Sequence, residues 1–232
     1  DGSCEYPDNG DYSLSFDGMD DNVNGPSLSL DVSNQNLLTL SAWIKPNNNN
    51  GMYRVFSYYP ENSQHQIYAV TMDYGKIYFL AGLEDQFEQG VANFGETIVD
   101  INKWHHIAAT YDNEVIRFYL NGNLDFEHFV DANFDFVDNG EFFVGSHSVY
   151  NNHTQGFQVF DGEIDEIKIF DIALNSQEME ALFNSISTVP EDNFLAHYKF
   201  NAGSGDILYD HSGNGNHGTI NGATWVENIY GC

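Results

Sequence analysis

An all-β fold, antiparallel and carrying one short helix, is what this sequence predicts, and three observations predict it. Apolar and polar residues alternate along most of the hydrophobic runs, the period-two signature of half-buried strands. Aromatic residues are abundant, 18 Phe and 14 Tyr among 232 residues, and such rings suit strands. Only the stretch after Asn175 carries the capping and one-sided apolar pattern of a helix. A chain of this length is sufficient for one cored domain, and sandwiches of this size are often single.

Residues 1–11 are polar, hold Pro7, Gly2 and Gly10, and read as a linker remnant containing Cys4. The first strand starts at Tyr12, with Tyr12, Leu14 and Phe16 on one face and serines on the other. It stops in an acidic turn, Asp17-Gly18-Met19-Asp20-Asp21, where Gly18 allows the tight bend. Leu37–Pro46 is a strand with Leu38, Leu40, Ala42 and Ile44 on one side and Trp43 on the other. Met52–Tyr59, Gln66–Met72 and Lys76–Leu80 read as further strands, while residues 84–96 read as irregular. Residues 103–111 form a strand with Trp104, His106, Ala108 and Thr110 on one face, and His106 is expected as a buried structural group. Val115–Leu120 closes on Asn121-Gly122, a strong type I′ hairpin signal. Phe126–Val130 and Glu141–Gly145 continue the sheets.

The chain is organised around residues 156–183. Phe160, Ile164, Ile167 and Ile169 give a strand its apolar side, and most of the remaining positions are acidic. The alternation slips at Asp165-Glu166, which predicts a bulge there. Asn175 followed three positions later by Glu178 is a capping box, and Met179, Leu182 and Phe183 give the helix one apolar face. Asp161, Glu163, Asp165 and Glu166 need counter-charge, and with few basic residues in the chain a cation is the economical candidate.

The motif Phe160-x-Gly162-x-Ile164-Asp165-Glu166-Ile167-x-Ile169-Phe170, with Ala173-Leu174 and the capped helix, resembles the closing segment of laminin-G-like domains. These belong to the concanavalin A-like lectin/glucanase fold. Phe16-Asp17-Gly18-x-Asp20-Asp21, the Leu37–Pro46 strand and Trp104-x-His106 are similar to other segments of that family. So is the stretch from Leu195 to Trp225, which in many members comes first and here comes last. The resemblance implies a two-sheet antiparallel jelly-roll sandwich over residues 12–227, in circularly permuted order, with 228–232 as a second linker remnant. It implies that Trp225–Glu227 lies beside Tyr12. Termini so placed would bring Cys4 and Cys232 together as a disulfide, the alternatives being pairing with neighbouring modules or free thiols.

Charge narrows the functions. Asp+Glu number 35 against 7 Lys+Arg, a net charge of −28, which excludes nucleic acid and disfavours anionic membranes and polyanionic glycans. The same acidity would keep a secreted protein soluble. No apolar run approaches a membrane span and no leader pattern opens the sequence, as expected of a mature or excised segment.

Calcium is the expected ligand, because hard cations take clustered oxygen atoms. The resemblance implies a site joining Asp17, Gly18 and Asp20 to Asp165 and Glu166 on an adjacent strand. A second candidate is the glycine turn holding Asp210 and Asn214, although such turns also form by hydrogen bonds alone. Catalysis finds little support. Glu163-x-Asp165-Glu166 is similar to the acidic strand of laminarinase-type hydrolases, but Ile167 breaks the phase. Arg54, Tyr58, His65 and Tyr68 hold lyase-type groups with nothing to fix their geometry.

By resemblance the domain is a non-catalytic, calcium-stabilised carbohydrate-binding module of a secreted enzyme or surface protein. It would hold that protein on a polysaccharide or oligosaccharide. Its sugar contacts are expected among loop residues able to stack on a ring or read hydroxyls: Tyr53, Arg54, Tyr58, Tyr59 and His65 in one group, His147, Tyr150, Asn152 and His153 in the other. An adhesion domain for a protein or cell surface is the rival reading, and an enzyme with an atypical site a third.

Overall fold

The computed structural model describes residues 6–26, 28, 37–60, 68–81, 91–129, 140–146, 159–186 and 193–228. Strands dominate, as the alternating patterns predict. They run β1 (Tyr12–Asp17), β2 (Asn22–Gly25), β3 (Leu37–Pro46), β4 (Met52–Pro60), β5 (Tyr68–Asp73), β6 (Lys76–Ala81), β7 (Val91–Ile98) and β8 (His105–Asp112). After these come β9 (Val115–Leu120), β10 (Asn123–Phe129), β11 (Gly140–Val144), β12 (Asp161–Phe170) and the helix α1 (Ser176–Phe183). The chain closes with β13 (Phe194–Tyr198), β14 (Ile207–Leu208), β15 (Gly218–Asn221) and β16 (Thr224–Glu227).

These strands make two antiparallel sheets. One runs β10-β9-β8-β3-β12-β1-β16, with β13 also on β12; the other runs β14-β15-β2-β11-β4-β5-β6-β7. This is the sandwich the sequence predicts. Between the sheets lie the alternating apolar residues, among them Leu14, Phe16, Leu38, Leu40, Ile44, Ile164, Ile167 and Ile169. The outer face of the first sheet carries a second, smaller apolar cluster, in which α1 sets Met179 and Leu182 on Ala108, Tyr119 and Phe170.

β16 pairs with β1, with Tyr12 opposite Glu227 and Leu14 opposite Trp225, so the late segment lies beside the first strand. Asn121 and Gly122 both take positive φ between β9 and β10, the backbone of a type I′ turn. Asn175 caps α1, accepting from Gln177 N and Glu178 N, while Glu178 returns a bond to the Asn175 N–H.

Three segments go beyond what the sequence pattern predicts. Residues 91–96, read as irregular, belong to the strand Val91–Ile98 on β6, where Asp125 of β10 accepts bonds from Glu96 N and Thr97 and fixes a segment with no alternation of its own. Past the acidic turn the chain crosses to the second sheet as β2, between β11 and β15. Residues 6–11, read as linker, are docked. Tyr6 stacks on Tyr209 with ring centroids 5.2 Å apart, and Asn9 N donates to Asn201 O at 2.9 Å. Cys4 and Cys232 lie outside the described residues.

Candidate functional site

The site begins with an irregularity in β12. Ile164 faces the core, and so does Ile167 three positions on, which regular alternation forbids. An extra residue resolves the conflict. Asp165 pairs with Trp43 and Lys168 with Ser41, so β12 takes three steps where β3 takes two, and Glu166 adopts φ 49°. The bulge sits where the other edge of β12 changes partner, from β1 (up to Ile164) to β13 (from Ile167). Two adjacent acids are thereby turned toward a forked sheet edge.

Their surroundings push them apart. Burial raises Asp165 to about 8, and the neighbouring charges of Glu166 and Asp11 add to it, while the Glu166 N–H donated to Oδ1 at 2.7 Å opposes it. Burial also acts on Glu166, but His197 and Lys168 outweigh it and hold that carboxyl down at about 2. Lys168 Nζ donates to Glu166 at 2.5 Å and His197 Nε2 lies 3.4 Å from the same oxygen. Further along, Lys45 pairs with Glu163 at 2.8 Å, and Asp161 accepts from Asn47 and Asn48. Along the acidic strand, Glu163 and Glu166 are thus paired with lysine and histidine, and Asp161 with asparagine amides.

Around the bulge opens a cleft of about 870 Å³. Trp43 and Trp104 line it together with Asp165, Glu166, Lys168, His197, Lys199 and His211, and Asp8 and Asp11 stand at the same walls. Both indoles are half-buried. Trp43 is braced by Phe183 of α1, stacked at 5.6 Å, and Lys45 sits 5.9 Å over the Trp104 ring. Beneath Trp43, His106 is buried and driven down to about 3, by burial first and by Lys168 second. His106 is therefore neutral and structural. Among the described residues its Nδ1 meets no hydrogen-bond partner.

Among the expected sugar contacts that the structure describes, Tyr58 and Arg54 are interior residues. Tyr58 is fully buried and its hydroxyl accepts from Gly140 N at 2.7 Å, so it is a core residue. Arg54 is also buried, beside a bulge in β4, and donates to Thr71 Oγ1 at 2.5 Å. Tyr53 is half-buried and its hydroxyl bonds Asn48. Tyr59 of β4 pairs with Glu141 of β11. His65, His147, Tyr150, Asn152 and His153 lie outside the described residues. The two tryptophans carried one usable signal in the sequence: each falls on the side of its strand away from the core. His197, Lys199 and His211 carried none, because topology alone brings the tail to β12.

The expected calcium site joining Asp17, Gly18 and Asp20 to Asp165 and Glu166 does not form. Antiparallel register puts Asp17 opposite Asp161, and the further run from 161 to 165 is about 13 Å at ~3.3 Å per residue. Asp17 and Asp20 instead gather with Asp21, their nearest carboxylate oxygens within 4.8 Å of one another. Gly18 turns the chain at φ 76°, against Asp161. Burial raises Asp21, and Asp17 and Asp20 add repulsion, although the Asp17 N–H bond lowers it. Asp210, the second candidate, lies among hydrogen-bond donors. Its buried carboxylate already accepts from His197 N, Ser212 N, Ser212 Oγ and Asn216 N, while Asn214 Nδ2 staples the turn to Phe194 O and Leu195 O.

Among the described residues no helix is long and apolar enough to cross a membrane. No curated protein matches the sequence. Solved structures match the fold. A candidate carbohydrate-binding protein from Bacteroides ovatus ATCC 8483 has TM-score 0.67 at 15% identity, covering 94% of this chain and 60% of its own, so the present chain spans under two thirds of that relative. Domain 4 of the extracellular arabinanase AbnA from Geobacillus stearothermophilus, in complex with arabinotriose, has TM-score 0.55 at 19% identity, covering 73% and 75%. The CBM40 of Ruminococcus gnavus IT-sialidase, bound to α2,3 sialyllactose, has TM-score 0.54 at 17% identity, covering 71% and 95%. A family profile matches residues 17–180, and by it and by its fold this chain belongs to the concanavalin A-like lectin/glucanases superfamily, of the laminin-G-like kind.

Proposed function

We propose that this chain is a non-catalytic carbohydrate-binding module that holds a secreted enzyme or surface protein on a polysaccharide. Its ligand lies in the cleft at the β12 bulge. One observation carries the reading: two indoles share a cleft whose lining also holds carboxyl, amine and imidazole groups. Aromatic faces stack on the C–H side of a sugar ring, and polar groups around them read its hydroxyls. The solved relatives bound to arabinotriose and sialyllactose support the sugar class without fixing which sugar. Affinity electrophoresis through polysaccharide gels tests it. Retardation is expected in at least one gel, lost in Trp104→Ala and accompanied by no release of reducing sugar. Equal retardation of wild type and Trp104→Ala would move the site elsewhere, and sugar release would make the chain an enzyme.

The calcium reading has its own support, apart from the cleft. Asp17, Asp20 and Asp21 supply the oxygen donors a hard cation takes, and these three carboxylates repel one another without one. Bound there, Ca²⁺ would contribute charge neutralisation and tie β1 to the start of β2. Calcium is then expected to raise the melting temperature of the chelator-treated protein, and Asp20→Asn to abolish most of that rise. An unchanged melting temperature in millimolar calcium would remove the ion from the account.

A further inference from the structure

The chain has seven Lys+Arg residues, and their positions bear on which saccharides the cleft accepts. Both arginines are elsewhere: Arg54 is buried in the second sheet, and Arg117 is paired with Asp112 at 2.5 Å and with Glu127 at 3.5 Å. No guanidinium fork, the usual partner of a sugar carboxylate or sulfate, therefore reaches the cleft. Two lysines line it. Lys168 is held by Glu166, so Lys199 is the one lysine there without an ion pair among the described residues. Asp8 and Asp11 share that lining, both exposed and oriented by bonds from Asn201 (3.2 Å) and Asn228 (2.8 Å). His211 is kept below its usual range by burial first, then by Lys199 and His197, which leaves it neutral. His197 already serves Glu166. Asp165, accepting from Glu166 N and from Asn228 Nδ2 at 3.3 Å, holds its proton at neutral pH.

We infer that the cleft, read as the sugar site above, selects uncharged saccharides over those bearing uronate or sulfate groups. Its fixed charges nearly cancel, and the slight excess is negative. Its polar groups suit hydroxyls, which can donate to Asp8 and Asp11 and accept from Lys199 and the Asp165 carboxyl. Outside the cleft, a net charge of −28 repels a polyanion before contact, over a Debye length of about 8 Å at physiological salt.

The test is affinity electrophoresis of the full chain through neutral gels (arabinan, xyloglucan, mannan, laminarin) and anionic gels (polygalacturonate, alginate, carrageenan). Each set is run at low ionic strength and at about 0.5 M NaCl, which screens long-range repulsion. The expected result is retardation in a neutral gel, with none in the anionic gels at either salt. Retardation in an anionic gel that is lost in Lys199→Ala and in Trp104→Ala overturns the selectivity while leaving a sugar site in the cleft. No retardation in any gel overturns the selectivity and the sugar reading together.

Discussion

Asp165 and Glu166 are neighbours in sequence and opposites in state. Both are buried at the bulge, but Glu166 has Lys168 and His197 to hold its charge, whereas Asp165 faces Glu166 and Asp11. The consequence for stability is directional. Between the ordinary carboxylate range near 4 and its folded value of about 8, native Asp165 keeps a proton the unfolded chain has released. Stability from this group is therefore whole below pH ~4 and is lost as pH rises through 8. Asp165→Asn is expected to match wild type in denaturant midpoint at acidic pH and to exceed it at pH 9. A variant that is less stable at pH 9 would show that Asp165 is ionised and paired. Tyr58 makes the same point in the core. Tyr58→Phe leaves Gly140 N without its acceptor and is expected to cost about 1–3 kcal/mol in urea unfolding. It should leave sugar binding unchanged, since the hydroxyl lies away from the cleft lining.

At the scale of elements, the bulge and the helix work as one device. The bulge turns Asp165 and Glu166 toward the cleft, and α1 packs beside it so that Phe183 braces Trp43 and Leu182 forms part of the wall. Both were legible in sequence, because the isoleucine spacing at 164, 167 and 169 and the Asn175/Glu178 pair are local signals. β7 and β2 were not legible. β7 gains its order from pairing with β6 and from Asp125 of the other sheet, and β2 from pairing with strands distant in sequence. Asn175→Ala removes the acceptor for two helix N–H groups and is expected to lower stability by about 1 kcal/mol, read from the thermal midpoint. An unchanged midpoint would mean that α1 is held by packing alone.

For the whole molecule, β16 beside β1 unites the two ends of the described chain, and the tail from β13 onward completes the wall opposite Trp43. The pairing of the ends was readable from the motif order. The cleft itself was not, because its groups come from residues 8–11, β3, β12, β13 and the Asp210 turn, and no linear pattern joins them. Loop residues rich in tyrosine and histidine looked more like sugar contacts, yet Tyr58 and Arg54 are interior groups. The acidity also acts at this scale. With a net charge of −28, the folded chain repels itself, so its melting temperature is expected to rise between low salt and about 0.5 M NaCl. A fall over that range would mean that the few ion pairs outweigh the repulsion.

The most direct measurement is a crystal structure of the chain with an oligosaccharide from whichever polysaccharide retards it. A sugar ring stacked on Trp43 or Trp104, with hydroxyls bonded to groups at the β12 bulge, is the predicted result. A sugar bound at the loops of the β4 end, with both indoles untouched, would contradict the account.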